Sequence, residues 1–329
     1  MVQSCRPCSS DNVPLDVLVR PQHDPTAVVS TLTCLSQQAM RLLLLGLMLG
    51  LSLPLVGCDP REGRSLQLMN QGVSAYKNNS YGSASKMLKA SIEEWPENGD
   101  AHDMLGLIYF KKFNQPENAL PHFEKATEYV PEKASYWYHK GHCLSELKRF
   151  DEAEASLLKV TEKVPKHSDA FYRLAQVSES QGKWTLAAER YGESIRADAR
   201  KPYAYHKLGD LYFRNEKYKE AARVYKNAVE NNPNSAELHN GLGLSYLYLK
   251  RNQEALIEFQ EALRLKRVYP SAVYNLAMTY IALNDRQKAK GFLEQFMKEA
   301  PAGENSARRV AAETRLIEIT EAEYKNSNP

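Results

Sequence analysis

A small residue returns along this chain with a period of 34. Glycine or alanine stands at Gly72, Gly106, Gly141, Ala175, Gly209, Gly243 and Ala277, in steps of 34, 35, 34, 34, 34 and 34. A second series, Ala84, Ala119, Ala153, Ala187, Ala221, Ala255 and Ala289, advances by 35 and then by 34 throughout. Both registers gain one residue over the same interval. The insertion therefore falls between Gly106 and Ala119, and is expected in the turn Asn114-Gln115-Pro116. A period of this length implies a stack of supersecondary units, each unable to bury its apolar face alone, so the 329 residues need not divide into ordinary globular domains.

Within one period the spacing is helical. Four residues after each alanine of the second series stands a bulky residue: Leu88, Phe123, Leu157, Tyr191, Tyr225, Phe259 and Leu293. That i, i+4 step puts both on one face of a helix B. Three residues on, Ser91, Ala126, Val160, Ser194, Ala228, Ala262 and Phe296 extend the stripe. The small residues of the first series let a preceding helix A approach B closely. Prolines 96, 131, 165, 233 and 301 end helix B in five units. In the other two, Ala199 and Arg267 take that place, and Pro202 and Pro270 follow at the first turn of the next helix A.

Two registers, the helical hairpin and the closing proline resemble the tetratricopeptide-repeat (TPR) family over residues 65–303. The resemblance implies an all-α, right-handed superhelical solenoid of seven helix-turn-helix units, at 65–98, 99–133, 134–167, 168–201, 202–235, 236–269 and 270–303. Residues 304–329 are expected to form a capping helix and tail, with Val310, Thr314 and Ile317 on one side.

An apolar run from Leu42 to Val56, preceded by Arg41, reaches about 22 Å as a helix, short of the ~30 Å hydrocarbon core of a bilayer. It reads as the core of a secretory signal at 40–57. Its end, Leu55-Val56-Gly57-Cys58, resembles the bacterial lipobox, which implies cleavage before Cys58 and acylation of that cysteine. Residues 1–39, with four prolines and no periodicity, are expected to be a disordered or mis-assigned extension. Residues 58–64 read as a short tether. These features place the protein in a bacterial envelope facing the periplasm, and Asp59 favours the inner membrane over the outer.

The balance of 43 basic and 40 acidic residues gives a net charge of +3, too small to support nucleic-acid binding, and no run of like charge stands out. No phosphate loop, nucleophile elbow or HExxH occurs, and no cofactor or small-molecule substrate is implied. His139 and His142 stand three apart without a further ligand at metal spacing, and Cys143 reads as a small core residue. The expectation is a scaffold for protein partners and not an enzyme. In the family, the second, fifth, ninth and twelfth positions of each unit line a concave groove that accepts peptides or helices. The resemblance thus points to Tyr138, Tyr172, His206, Asn240 and Tyr274 at the fifth position, and to His142, Gln176, Asp210, Leu244 and Met278 at the ninth. The lysines and asparagines by which some family members clamp chaperone tails are absent. Bacterial lipoproteins of this build include pilotin-like factors for type IV pilus secretins and adaptors of peptidoglycan-processing enzymes, and both remain open.

Overall fold

A computed structural model describes residues 59–300 and 306–327. The N-terminal extension, the signal segment, Cys58 and Pro301 lie outside the described residues. Among those described there are fifteen α-helices and no strand. They are α1 (Pro60–Lys77), α2 (Tyr81–Glu94), α3 (Gly99–Leu107), α4 (Pro116–Tyr129), α5 (Ala134–Glu146), α6 (Phe150–Lys163), α7 (Ser168–Ser180) and α8 (Trp184–Ala197). There follow α9 (Pro202–Arg214), α10 (Tyr218–Asn231), α11 (Ala236–Tyr248), α12 (Asn252–Leu265), α13 (Pro270–Ala282), α14 (Arg286–Glu299) and α15 (Ser306–Ser327). Each odd helix up to α13 packs against the next as an A–B hairpin, each B packs on the following A, and α15 closes on α14. The architecture is an all-helical solenoid.

The steric reason for the small residues is visible in the crossings. A Cβ added to Gly106 would lie 2.7 Å from the Phe123 ring, one on Gly141 2.7 Å from Leu157, and one on Gly243 2.8 Å from Phe259. These are the bulky residues four places after the alanine series, so the two registers are the two halves of one contact. Where the helix-B stripe carries serine at Ser91 and Ser194, helix A of the same unit supplies another. Ser65 donates to the Ser91 carbonyl at 2.8 Å and Ser168 to the Ser194 carbonyl at 3.0 Å, so these buried hydroxyls are satisfied.

Each A–B turn passes through one left-handed residue, at Asn79, Asn114, Lys148, Gly182, Glu216, Lys250 and Asn284, with φ between 53° and 74°. Only one of the seven is glycine. The turn is closed by backbone bonds running back onto helix A, as from Lys148 N–H to the Ser145 carbonyl and from Arg149 N–H to the Leu144 carbonyl.

Two expectations change in the structure, and a third gains detail. The left-handed positions advance by 35 between Asn79 and Asn114, so the extra residue precedes the turn. It is absorbed where α3 runs on into a π-helical turn, Ile108–Lys112. An added residue in an α-helix would rotate all that follows by about 100°, and a π turn takes up that rotation locally. Second, residues 60–64 are already helical. The Asp59 side chain accepts from the Arg61 N–H at 2.9 Å, Pro60 opens the first turn, and α1 is helical from Pro60. Third, α15 buries Ala312 and Ile319 with Leu316 packed beside them, while Val310 and Ile317 stand 64% and 55% exposed. Its Arg309 guanidinium donates to the Met297 and Ala300 carbonyls at 2.7 and 2.8 Å, satisfying the end of α14.

Candidate functional site

The helix-A face carries the residues singled out for partner binding, and they do not share one environment. Tyr138 on α5 and Tyr172 on α7 are half-buried. Tyr138 lies 5.2 Å from the His167 ring, and Tyr172 meets Tyr203 edge-to-face at 4.7 Å and Tyr191 at 5.6 Å. Both also lean on buried residues of their units, so they are part wall and part core.

His142, one turn beyond Tyr138, packs edge-on against Phe110 at 4.8 Å. Burial first, then the nearby charges of Arg173 and Lys111, push its pKa down to about 3, so the imidazole is neutral. Gln176 Nε2 donates to the Tyr172 hydroxyl at 3.4 Å, and its Oε1 accepts from Arg173 at 3.1 Å. Tyr138, His142, Tyr172 and Gln176 thus form one continuous polar-aromatic surface across units 3 and 4, to which Tyr203 is joined from unit 5.

His206 and Asp210 on α9 form an ion pair at 3.1 Å. The Asp210 bond raises the His206 pKa against the effect of burial. Burial opposes ionisation of Asp210, but hydrogen bonds from His206 and from the Tyr225 hydroxyl at 2.7 Å hold its carboxyl below the usual range. Asn240 accepts from Asn275 at 3.0 Å, across the joint between units 6 and 7. Leu244 and Met278 pack against the C-terminal core, and Tyr274 packs on Phe296 at 5.2 Å with the Arg308 guanidinium of α15 above its ring. In the last two units these positions serve cohesion between units. The open part of the face is in units 3 to 5.

The carboxylates here are tied into the joints. Asp100 accepts from Lys133 at 2.5 Å and from the Tyr136 hydroxyl, and the corresponding Asp169 accepts from Lys201 at 2.7 Å and from the Tyr203 hydroxyl. Asp103 meets His139 at 2.7 Å, and Glu179 accepts from Arg214 and from the Tyr191 hydroxyl at 2.9 Å. Sequence spacing did not mark Arg173, Tyr203, His167 or Phe110 as part of this surface. Tyr203 and Phe110 alone carried a signal, since they occupy a second and a twelfth position.

Cys143 is buried, and its thiol donates to the Pro116 carbonyl at 3.3 Å. Burial pushes its pKa up to about 12, which removes it as a nucleophile near neutrality. Among the described residues no three His, Cys, Asp or Glu side chains converge as a metal site.

The tetratricopeptide-repeat family matches over residues 111–177, 206–273 and 271–302. The chain is 27% identical over 189 residues to the type IV pilus assembly protein PilF of Pseudomonas aeruginosa, across 56% of this chain and 73% of that protein. It is 22% identical to a peroxisomal targeting signal receptor of Saccharomyces cerevisiae, over 64% of this chain and only 36% of the receptor. Among solved structures, that of P. aeruginosa PilF superposes with a TM-score of 0.53 at 21% identity, covering 65% of this chain and 97% of that one. A TPR protein of Parabacteroides merdae superposes with a TM-score of 0.53 at 14% identity, covering 78% and 99%. With close-packed helix crossings, a 34-residue period and three matches to the family, the chain belongs to the tetratricopeptide-repeat family, a family of scaffolds for protein–protein interaction.

Proposed function

We propose that this protein is a non-enzymatic adaptor, held to a bacterial envelope membrane by acyl chains on Cys58, that takes up a segment of a partner protein on the helix-A face of units 3 to 5. The observation that carries the partner site is the continuous surface of Tyr138, His142, Tyr172, Gln176 and Tyr203. Tyrosine offers large contact area at low rotamer cost together with a hydroxyl, the composition of interface hot spots. The lipobox-like run before Cys58 carries the anchor, and two acyl chains suffice for stable attachment.

A second, narrower reading is a role in type IV pilus assembly, favoured by the match that spans 73% of P. aeruginosa PilF. An adaptor of peptidoglycan-processing enzymes remains the alternative partner class. The partner test is a photo-crosslinking residue at Tyr203 in cells. It should capture one dominant envelope protein, and a pilus-assembly component would favour the narrower reading. Absence of any specific adduct there, with adducts formed from the outer face of helix B instead, would move the site elsewhere.

Localisation has its own test. Cys58→Ser should release the protein from membranes, and retention would remove the anchor. Asp59 caps α1, so its sorting role must be separated from folding. Asn caps nearly as well as Asp. Asp59→Asn should therefore leave stability unchanged while shifting the protein toward the outer membrane, if the carboxylate retains it at the inner one.

A further inference from the structure

On the helix-A face described above, the charges do not cancel evenly. The carboxylates Asp100, Asp169, Glu179 and Glu237 each pair with a lysine or arginine of the protein, and Asp103 and Asp210 each with a histidine. The remaining acid, Glu146, lies at the end of α5, is 55% exposed, and is 3.6 Å from the neutral His142. Two half-buried cations on this face stand in no ion pair among the described residues, beside the exposed Lys111. They are Arg173 on α7 and Lys207 on α9, both at the sixth position of their units and both half-buried.

Arg173 is the more demanding of the two. Of the five N–H groups a guanidinium offers, one has a protein acceptor, the Gln176 amide oxygen at 3.1 Å. Its charge reaches the surrounding wall, since it helps to depress the His142 pKa and also acts on the Tyr172 hydroxyl. A half-buried cation with unused donors beside aromatic rings is costly unless something anionic completes it. Elsewhere on the face the chain supplies that anion itself, and at Arg173 and Lys207 it does not.

We propose that the segment held on this face carries acidic side chains, one of which pairs with Arg173 in a forked hydrogen bond while a second meets Lys207. This rests on the partner site proposed above. Helices A of neighbouring units run about 10 Å apart, a distance an extended chain spans in about three residues. The occupant is therefore an extended peptide with two Asp or Glu residues three apart. Tyr138, Tyr172 and Tyr203 give its intervening residues an aromatic wall.

The experiment uses the full chain and three peptides of about twelve residues in a Pro-Ala background. The first is blocked at both ends and has two glutamates three residues apart. The second has glutamines in their place, and the third is the glutamine peptide with a free C-terminal carboxylate. Binding is read from the imidazole resonances of His142, which sit beside Arg173. The glutamate peptide should shift them saturably, and the glutamine peptide should need at least about tenfold more for the same effect. Arg173→Gln with Lys207→Gln should bring the glutamate peptide down to the glutamine level without change in circular dichroism. Arg173→Lys should recover part of the difference.

Equal shifts from the first two peptides, no shift from any, or tighter binding of the free-end peptide than of the glutamate peptide would each overturn acidic side-chain recognition. Crosslinking from Tyr203 is independent of that result. A partner adduct that persists undiminished in Arg173→Gln would keep the helix-A site and remove its acidic ligand.

Discussion

Units 2 and 6 build the same joint with different atoms. In each, the fourth residue of helix A is a histidine whose Nε2 donates to the carbonyl of the proline closing the preceding unit. His102 reaches Pro96 at 3.0 Å and His239 reaches Pro233 at 3.1 Å. The Nδ1 atoms then meet corresponding positions on helix B, His122 at 3.1 Å in unit 2 and Glu258 at 2.7 Å in unit 6. Burial lowers the His102 pKa, and burial followed by the His102 charge drives His122 to about 4. The Glu258 bond raises that of His239. The repeat thus dictates that a donor sits at this position and leaves its charge free. Trp137 fills the same place in unit 3 and donates its indole N–H to the Pro131 carbonyl at 2.7 Å.

Opposite shifts give opposite responses to acid. A histidine with a folded pKa below its unfolded value near 6.5 binds its proton mainly in the unfolded chain. Its contribution is complete above pH 6.5 and is lost as pH falls through the folded value, which describes His102 and, with a folded value of about 4, His122. His239 contributes below pH 6.5 and loses that contribution as pH rises through its elevated folded value. Acid should therefore loosen unit 2 before unit 6.

The comparison presumes a common core, and that can be broken first. Phe123 and Phe259 are fully buried under Gly106 and Gly243, and truncation of either to alanine should cost about 3–5 kcal/mol in urea unfolding. A large disparity would mean that the two units do not share a packing. Next in size, His122→Glu should give His102 the kind of partner His239 has. About 1 kcal/mol of the stability lost between pH 6.5 and pH 5 should be recovered, as read by thermal melting at both values. An unchanged pH profile would detach the acid response from this pair. Glu258→Gln should return the His239 titration toward 6.5 in NMR, with under about 1 kcal/mol of stability lost. Least of all, Lys133→Met and Lys266→Met remove exposed pairs with Asp100 and Glu237, and each should change stability by less than about 1 kcal/mol.

Much of the fold was legible because its steric rule is local in sequence. Gly106 and Phe123 are seventeen residues apart, and the glycine is informative because the ring lies on it. The lining of the helix-A face was less legible, because its state depends on partners a whole unit away. Asp169 is neutralised by Lys201, and Arg173 stands out only once the neighbouring acids are seen to be taken. The packed face of α15 was not legible for another reason. Apolarity drew attention to Val310 and Ile317, whereas close approach to α14 selects small Ala312, and Arg309 pays for its place near the core by satisfying two carbonyls. The tyrosines were read as groove residues, yet Tyr138 and Tyr172 also support buried neighbours. Their truncation would confound binding with folding, so polar substitutions at Arg173 and Lys207 are the cleaner probes.

The π turn at Ile108–Lys112 bears on how such an array tolerates indels. A one-residue insertion in most helices displaces every downstream contact and is lost. Here the surplus is confined to five residues, and the Asn114 turn, Ala119 and Phe123 resume the phase of the other units. Helix A of unit 2 is accordingly a place where the coding sequence can shed a single codon and restore the common period without disturbing the six other units.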